Sequence, residues 1–388
     1  MSLLHHGGRL RSAISEFGGD AQDWLDLSTG VSPWHYPIPE IPVACWNRLP
    51  EEEDGLIAAA DQYYGGHNAL PVSGSQAAIQ ALPSVLAAQR GGPGVVLLPK
   101  VGYKEHERAW RTQGWQVEYY GCDVTRLTEE EHVSANLGFD LEREGDANSY
   151  ASKDESTNDS SPAYPTVEQI QRCDALVVIN PNNPTACLIP KAQLSTWLDL
   201  LKSRDAFLLV DEAFMDMTPE QSLVGSGIDN LIVLRSVGKF FGLAGIRAGF
   251  VFAPKNIQLA LQTHLGPWCL NGPARHVCTQ AFSDNHWQQM QKERLVLASN
   301  RLAKLLSLLP GGIVGTALFQ TLYLSSAPEW FQFLCNHKVL ARLTDEQDGI
   351  RFGLPADETQ WTRLTEVLEE AVNHANSDSF VQVSRKSQ

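Results

Sequence analysis

The chain has 388 residues, of which 43% are hydrophobic and 19% are charged, a composition typical of a soluble globular protein with a sizeable core. Its formal net charge of −15 argues against general nucleic-acid binding, which favours a basic surface. Seven scattered cysteines without a C-x-x-C pair indicate neither a disulfide framework nor a metal site, and suit reduced thiols in the cytoplasm. Neither a signal peptide nor a membrane span is predicted.

The chain divides into four predicted parts. Residues 1–45 form an N-terminal arm rich in His, Gly, Trp and Pro. Residues 46–270 alternate strands and helices, which predicts a large domain with a mostly parallel sheet flanked by helices. Within it, the polar stretch 140–164 predicts a flexible insertion. Residues 271–376 predict a long linking helix over 271–309 and a small C-terminal α/β domain, and a frayed tail follows at 377–388. Strands of the large domain are predicted near Val95, Val117, Leu176, Leu208, Ile232 and Val251.

The first candidate site segment is the start of a helix predicted over 75–89. Ser75 is predicted as its N-cap, and the free backbone N–H groups of a helix N-terminus form an anion site. Read in isolation, the segment is an ordinary capped helix. The strand predicted at 94–99 runs into a second segment, PKVGYKEHERAW (99–110), which carries Tyr103 and His106.

Two further strands end in polar residues. The strand at 174–180 runs into the turn PNNPT (181–185), because Asn-Pro steps break regular structure. The apolar run 206–210 predicts a buried parallel strand, and Asp211 lies at its C-terminal end, where ligand groups collect in open α/β sheets. A carboxylate there could pair with the ring nitrogen of pyridoxal 5'-phosphate (PLP), or it could cap the next helix.

The run SVGKFFGLAGIRAG (236–249) carries one lysine, Lys239, among small residues, and Arg247 eight positions later. A lone lysine in such a setting suits covalent work on an aldehyde, and a fixed cation nearby suits a phosphate. These are the requirements of PLP, whose aldehyde condenses with a lysine amine. The alternative is a glycine-rich loop with a surface lysine.

Together these motifs resemble the aspartate-aminotransferase superfamily of PLP fold type I. The resemblance implies an α/β fold with a large sheet domain and a small C-terminal domain, and a homodimer with active sites at its interface. It also implies a set of cofactor contacts. These are phosphate contacts from Gly74, Ser75, Gln76, Ser236 and Arg247, a bond from Asn183 to the 3'-oxygen, one from Asp211 to the ring nitrogen, the covalent bond of Lys239, and stacking by His106, with Tyr103 as the fallback.

Three features resemble one branch, the threonine-phosphate decarboxylases of cobalamin synthesis, which are relatives of histidinol-phosphate aminotransferases. They are the H-G-G opening at 6–8, D-x-S-x-x-x-x-P at 26–33, and D-E-A-F at 211–214. The branch implies PLP-dependent decarboxylation of L-threonine O-3-phosphate to (R)-1-amino-2-propanol phosphate. His6, Arg342 and Arg351 are then the candidates for binding this small phosphorylated substrate, although each could be an ordinary surface residue. The alternatives are an aminotransferase acting on a phosphorylated substrate such as histidinol phosphate, and a non-catalytic module of this fold.

The sequence departs from the superfamily pattern at three positions. Phe214 stands where typical aminotransferases have a tyrosine that bonds the 3'-oxygen. Leu49 replaces a tyrosine that reaches the neighbouring subunit, which puts that contact in doubt. Ala186 replaces a glycine in the Asn-Pro turn, so this loop is expected to differ.

Overall fold

The computed structural model describes residues 7–121 and 164–376. Three predicted features lie outside these ranges: His6, the insertion up to residue 163, and the tail at 377–388.

A seven-stranded sheet forms the centre of the large domain, in the order β2-β8-β7-β6-β5-β3-β4. Among these described strands, β8 runs antiparallel to the other six, so the predicted mostly parallel sheet is confirmed. The six strands predicted from sequence are present, whereas β2 was missed because its three residues are too short for a pattern. The strands are β2 (Leu70–Val72), β3 (Val95–Pro99), β4 (Gln116–Tyr120), β5 (Ala175–Ile179), β6 (Phe207–Asp211), β7 (Leu231–Ser236) and β8 (Gly249–Phe252).

Strand β5 shows why the sheet is buried on both faces. All five of its residues are buried, and the first four alternate between two hydrophobic clusters. Leu176 and Val178 belong to one cluster, whereas Ala175 and Val177 belong to the other. Because successive side chains of a strand point to opposite faces, a continuous apolar run is what a sheet covered by helices on both sides requires.

Helices connect these strands and extend to the C-terminal part. Helix α4 starts where the sequence predicted, but its N-cap is Gly74 (φ 73°), and no side-chain cap bond forms. Ser75 is therefore the first helical residue rather than the cap, because a positive φ at this position favours glycine. The helices are α1 (Leu10–Phe17), α2 (Ala44–Asn47), α3 (Leu56–Tyr64), α4 (Ser75–Arg90), α5 (Glu105–Thr112), α6 (Val167–Arg172), α7 (Lys191–Lys202), α8 (Lys255–Leu265), α9 (Gly272–Ser283), α10 (Asn285–Leu306), α11 (Ala327–Asn336) and α12 (Glu358–Asn376).

The C-terminal part contains an antiparallel four-stranded sheet in the order β12-β13-β10-β9. Strand β1 of the N-terminal arm pairs in parallel with β11, and Ala13 and Trp24 of the arm pack with Cys335 and Leu340. The arm is thus held by the C-terminal part of the chain. The strands are β1 (Leu25–Asp26), β9 (Gly312–Thr316), β10 (Phe319–Tyr323), β11 (Val339–Leu340), β12 (Arg342–Leu343) and β13 (Gly349–Gly353).

The single long helix predicted over 271–309 is wrong, because the chain breaks at Asp284 between α9 and α10. The Asp284 carboxylate caps α10 by accepting a hydrogen bond of 3.0 Å from the backbone N–H of Trp287. Both helices have the same apolar periodicity, so the break shows only in the capping residue.

Replacing Asp284 with alanine should lower the free energy of unfolding by about 1 kcal/mol, because the first N–H groups of α10 lose their cap. Denaturant midpoints measured by circular dichroism would show this loss. Asp199→Ala, at an exposed position within α7, is the matched control and should change the free energy by less than about 0.5 kcal/mol. Equal midpoints for the two variants would contradict the capping role.

Candidate active site

The carboxyl ends of β5, β6 and β7 meet at one edge of the parallel sheet. The chain after β5 carries Asn183, β6 ends at Asp211, and β7 ends at Ser236, three residues before Lys239. Open α/β sheets bind ligands at this edge. Strand order thus brings together residues that lie up to 56 positions apart in the sequence.

Lys239 lies half-buried in the loop after β7. Its backbone carbonyl accepts a 3.0 Å bond from the N–H of Ser32, which ties the loop to the N-terminal arm. Burial, reinforced by the positive charge of Arg351, lowers the pKa of the Lys239 amine from 10.5 to about 8. A larger share of the amine is therefore neutral, and nucleophilic, than an exposed lysine would have at neutral pH.

Asp211 is buried at the end of β6, with 3% of its surface exposed. One carboxylate oxygen lies 2.9 Å from Nε2 of His106, and the other accepts a 3.1 Å bond from the N–H of Ala213. His106 is itself 2% exposed, so its ring packs against Asp211 from within the large domain.

His106 and Tyr103, the two candidates for stacking on the cofactor ring, have different surroundings. Tyr103, the fallback, lines a cavity beside Lys239, whereas His106 is not among the residues that line this cavity. The two rings are 6.3 Å apart and nearly perpendicular. Sequence spacing could not separate them, because they lie three residues apart across the start of α5 and their directions depend on its orientation.

The predicted phosphate contacts come together at the start of α4. A Cβ atom at Gly74 would lie 2.6 Å from Nη2 of Arg247, and one at Gly249 would lie 2.4 Å from the backbone N of Ser75. Ser236 lies opposite Gly249 in the β7–β8 pair. Both glycines therefore permit a close approach that any larger residue would block. The result is a cluster of N–H groups, a hydroxyl and a guanidinium at a helix N-terminus, which is chemistry suited to a phosphate.

The side chain of Gln76 extends from this cluster to Tyr103. Its Oε1 accepts a 3.1 Å bond from the Tyr103 hydroxyl, and its Nε2 donates a 2.8 Å bond to Glu105. Burial, followed by the charge of Glu105, raises the pKa of Tyr103 to about 12, so the phenol stays protonated. Sequence reasoning missed Glu105, and a lone glutamate in a helix carries no signal that it will be 4% exposed beneath a site.

A cavity of about 250 Å³ opens beside Lys239, and both predicted arginines line it. Arg351 donates bonds of 2.6 Å to Oδ1 of Asn183 and 2.7 Å to the carbonyl of Ser28. Burial, followed by the charge of Arg342, lowers the pKa of Arg351 to about 10. Arg342 is the direct cross-strand neighbour of Arg351, so two guanidinium groups serve one cavity.

The position of His6 relative to this cavity stays a prediction, because His6 lies outside the described residues. Its neighbour Gly7 does line the cavity, and a Cβ atom on Gly7 would lie 2.2 Å from the carbonyl oxygen of Ser28. The cavity also has three charged lining residues that the sequence did not single out, Lys104, Asp345 and Glu346.

The three departures from the superfamily pattern have distinct surroundings. Phe214 is buried, with its ring centroid 5.2 Å from Nζ of Lys239, so an apolar ring stands where a tyrosine would offer a hydroxyl. Ala186 has a φ of 57°, the left-handed conformation that favours glycine, so the turn keeps this conformation without glycine. Leu49 is 62% exposed.

Two other kinds of feature are absent from the described ranges. Residues 7–121 and 164–376 hold no group of three His, Cys, Asp or Glu side chains arranged to bind a metal ion. The helices of this part of the chain include none that is long and apolar enough to cross a membrane.

Comparison with known proteins identifies relatives along nearly the whole chain. Residues 56–365 match the family model described as aminotransferase class I and II. The threonine-phosphate decarboxylase of Pseudomonas aeruginosa is 42% identical over 370 residues, which cover 94% of this chain and 97% of that protein. A threonine-phosphate decarboxylase of a Sinorhizobium species is 33% identical over 377 residues, again 94% of this chain and 97% of that protein.

Solved structures show the same fold at low sequence identity. The histidinol-phosphate aminotransferase of Sinorhizobium meliloti in complex with pyridoxal-5'-phosphate has a TM-score of 0.71 at 14% identity, covering 96% of each chain. The L-threonine-O-3-phosphate decarboxylase of Porphyromonas gingivalis has a TM-score of 0.63 at 17% identity, covering 89% of this chain and 99% of that one. Because the family model covers most of the sequence and the Pseudomonas relative spans almost all of it, the chain belongs to the aminotransferase class I and II family.

Proposed function

We propose that this protein is a PLP-dependent decarboxylase that converts L-threonine O-3-phosphate to (R)-1-amino-2-propanol phosphate and CO₂, for the nucleotide loop of cobalamin. The observation that carries the proposal is the 42% identity, over 94% of the chain, to a threonine-phosphate decarboxylase. The cavity agrees with it, because two arginines suit a substrate with two anionic ends.

The residues at the sheet edge fit PLP as the cofactor. Lys239 supplies a half-buried amine of lowered pKa, and the close approach of Gly74 to Arg247 leaves a cradle of donors for a phosphate. When bound, PLP supplies an aldehyde that condenses with amines and a protonated ring that stabilises negative charge on the substrate α-carbon. Gly74, Ser75, Gln76, Ser236 and Arg247 would hold its phosphate.

Asp211 has the task of holding a positive charge at the ring nitrogen, because a buried carboxylate stabilises a protonated partner. His106 acts on Asp211, keeping the carboxylate in place through the 2.9 Å contact. Tyr103, held by Gln76, then takes over the stacking role first given to His106. Asn183 would bond the 3'-oxygen, alongside the bond that it accepts from Arg351.

Substrate selection falls to the cavity. Arg351 would grip the substrate carboxylate with its guanidinium fork, and Arg342 would take the phosphate, joined by His6 of the N-terminal arm. Binding energy from the phosphate, far from the reacting atoms, orients the α-carbon so that its bond to the carboxylate stands perpendicular to the cofactor ring.

Lys239 completes the chemistry on the substrate. The bond between the α-carbon and the carboxylate breaks and CO₂ leaves, while the bonding electron pair stays with the α-carbon. The protonated amine of Lys239 would then deliver a proton to this carbon. An amine with a pKa near 8 can both bind covalently as a free base and carry a proton near neutral pH. The apolar Phe214 beside it excludes water from this position.

The test is an assay of purified, PLP-loaded protein with L-threonine O-3-phosphate, in which CO₂ and the product are measured by mass spectrometry. A parallel reaction contains histidinol phosphate and 2-oxoglutarate. CO₂ together with aminopropanol phosphate is the expected result. Glutamate without CO₂ would overturn the proposal and make the protein an aminotransferase.

We further propose that the protein is a homodimer and that it acts in the cytoplasm. The free thiols of the described cysteines suit a reducing compartment. The interface would be an apolar groove of about 780 Å³ formed by residues including Ile38, Trp46, Leu49 and Trp268, all more than half exposed. An exposed patch of this kind marks an interaction surface. The groove also includes Gly245 and Ile246, directly before Arg247, so a second copy would lie against the cofactor loop.

Replacing Trp46 with aspartate should shift the protein from dimer to monomer in light scattering, because burying an unpaired charge in this groove costs several kcal/mol. Leu297→Asp is the matched control, since Leu297 is 71% exposed but does not line the groove. A Trp46→Asp protein that stays dimeric would show that the interface lies elsewhere.

A further inference from the structure

Two ion pairs sit at the cavity, and both involve a turn between β12 and β13. Lys104, at the start of α5, places Nζ 3.3 Å from Oε1 of Glu346 across the opening. Arg342 places Nη2 2.9 Å from Oδ1 of Asp345. All four residues line the cavity that also contains Lys239 and Arg351. The two acidic residues are adjacent in sequence, and each faces a cation.

The turn that carries these carboxylates is tightly held. The Thr344 hydroxyl donates a 2.7 Å bond to Asp348 and accepts bonds from the backbone N–H groups of Asp348 and Gly349. These hydrogen bonds hold the backbone of the turn, so Asp345 and Glu346 extend from a fixed backbone into the cavity. The Lys104 amine has a second fixed partner, the carbonyl of Lys100, at 2.8 Å.

Carboxylates are unexpected in a cavity meant for an anion, because they repel it. Lys104 and Glu346 have 24% and 26% of their side chains exposed, so a ligand that enters from the cavity can reach this ion pair. Exchanging Glu346 for a doubly charged phosphate would keep Lys104 paired and gain a stronger charge-assisted contact. A ligand with a single negative charge would gain less from this exchange, because it carries no more charge than the Glu346 carboxylate that it replaces.

We propose that Lys104 is a specificity-determining residue that binds the phosphate of the substrate together with Arg342, and that Glu346 and Asp345 are the anions that the phosphate displaces. This inference rests on the proposed function, because it assumes a phosphorylated substrate. It adds a second cation, from the large domain, to the arginine contributed by β12. The phosphate is then held from both sides of the cavity, and the two carboxylates re-form their ion pairs when the product leaves.

The exchange predicts opposite effects for the two members of one ion pair. Lys104→Gln removes a cation that the phosphate needs, so KM for L-threonine O-3-phosphate should rise about tenfold. Glu346→Gln removes a competitor and a repulsive charge, so KM should fall about threefold. The dissociation constant of inorganic phosphate, measured by calorimetry on PLP-loaded protein, should move in the same two directions. Lys202→Gln, an exposed charge at the end of α7, is the control and should change neither value.

If the ion pair between Lys104 and Glu346 only connects the two sides of the cavity, the two variants should behave alike, because either substitution breaks the pair. Parallel changes in KM and in phosphate affinity would thus overturn the inference, as would failure of the wild type to bind phosphate. If the wild type binds phosphate with the expected opposite shifts but releases no CO₂, the proposed decarboxylation fails while the role of Lys104 stands.

Discussion

Replacing Lys239 with alanine should reduce turnover by at least about 10⁴-fold, because the residue both binds the cofactor covalently and returns a proton to the substrate. The absorption band of lysine-bound PLP should disappear as well. Lys255→Ala, at the exposed start of α8, is the control and should retain both the band and turnover. A Lys239→Ala protein with full activity would instead support a non-catalytic module.

The same lysine predicts how cofactor capture depends on pH. The reactive form is the neutral amine, and burial lowers the pKa from 10.5 to about 8. In protein stripped of PLP, the rate of capture should therefore rise with pH up to about 8 and level off above it, two to three units earlier than for an exposed lysine. The lowered pKa also means that the unfolded chain binds more protons between about pH 8 and 10.5, so the contribution of Lys239 to stability rises with pH in this window. Stopped-flow absorbance would measure capture, and a midpoint near 10 would contradict the geometry.

Replacing Asp211 with asparagine should lower kcat by about 10³-fold, because a neutral amide cannot stabilise positive charge at the ring nitrogen. The fold should survive, since the two side chains have the same shape. The expected loss is in kcat more than in cofactor retention, which depends on Lys239 and the phosphate contacts. Asp199→Asn is the exposed control.

His106→Phe separates positioning from stacking in the same experiment. If His106 only holds Asp211, the variant should lower kcat, although by less than Asp211→Asn, because the carboxylate loses its 2.9 Å partner. If His106 stacked on the cofactor, a phenyl ring would preserve that contact and leave kcat nearly unchanged. An unchanged kcat would restore the expectation drawn from sequence spacing.

Local pattern was enough to predict the sheet and the loops that end its strands. The apolar runs of β5 and β6 identify buried parallel strands, and Asp211 follows from the rule that ligand groups collect where such strands end. The glycines around Lys239 and Arg247 likewise indicate positions where other groups closely approach the backbone. These signals are readable because periodicity, strand ends and glycine spacing are properties of a few neighbouring residues.

The sequence by itself determined the fold class, the cofactor chemistry and most candidate residues of this protein. Only the tertiary structure decided that His106 contacts Asp211 and that Tyr103 lines the cavity. It also brought Lys104, which the sequence did not single out, to Glu346, 242 positions away. The capping role of Gly74 and the break at Asp284 were also decided there. The physical reason is that a side chain's direction and partners depend on how distant elements pack, whereas sequence pattern records only its neighbours along the chain.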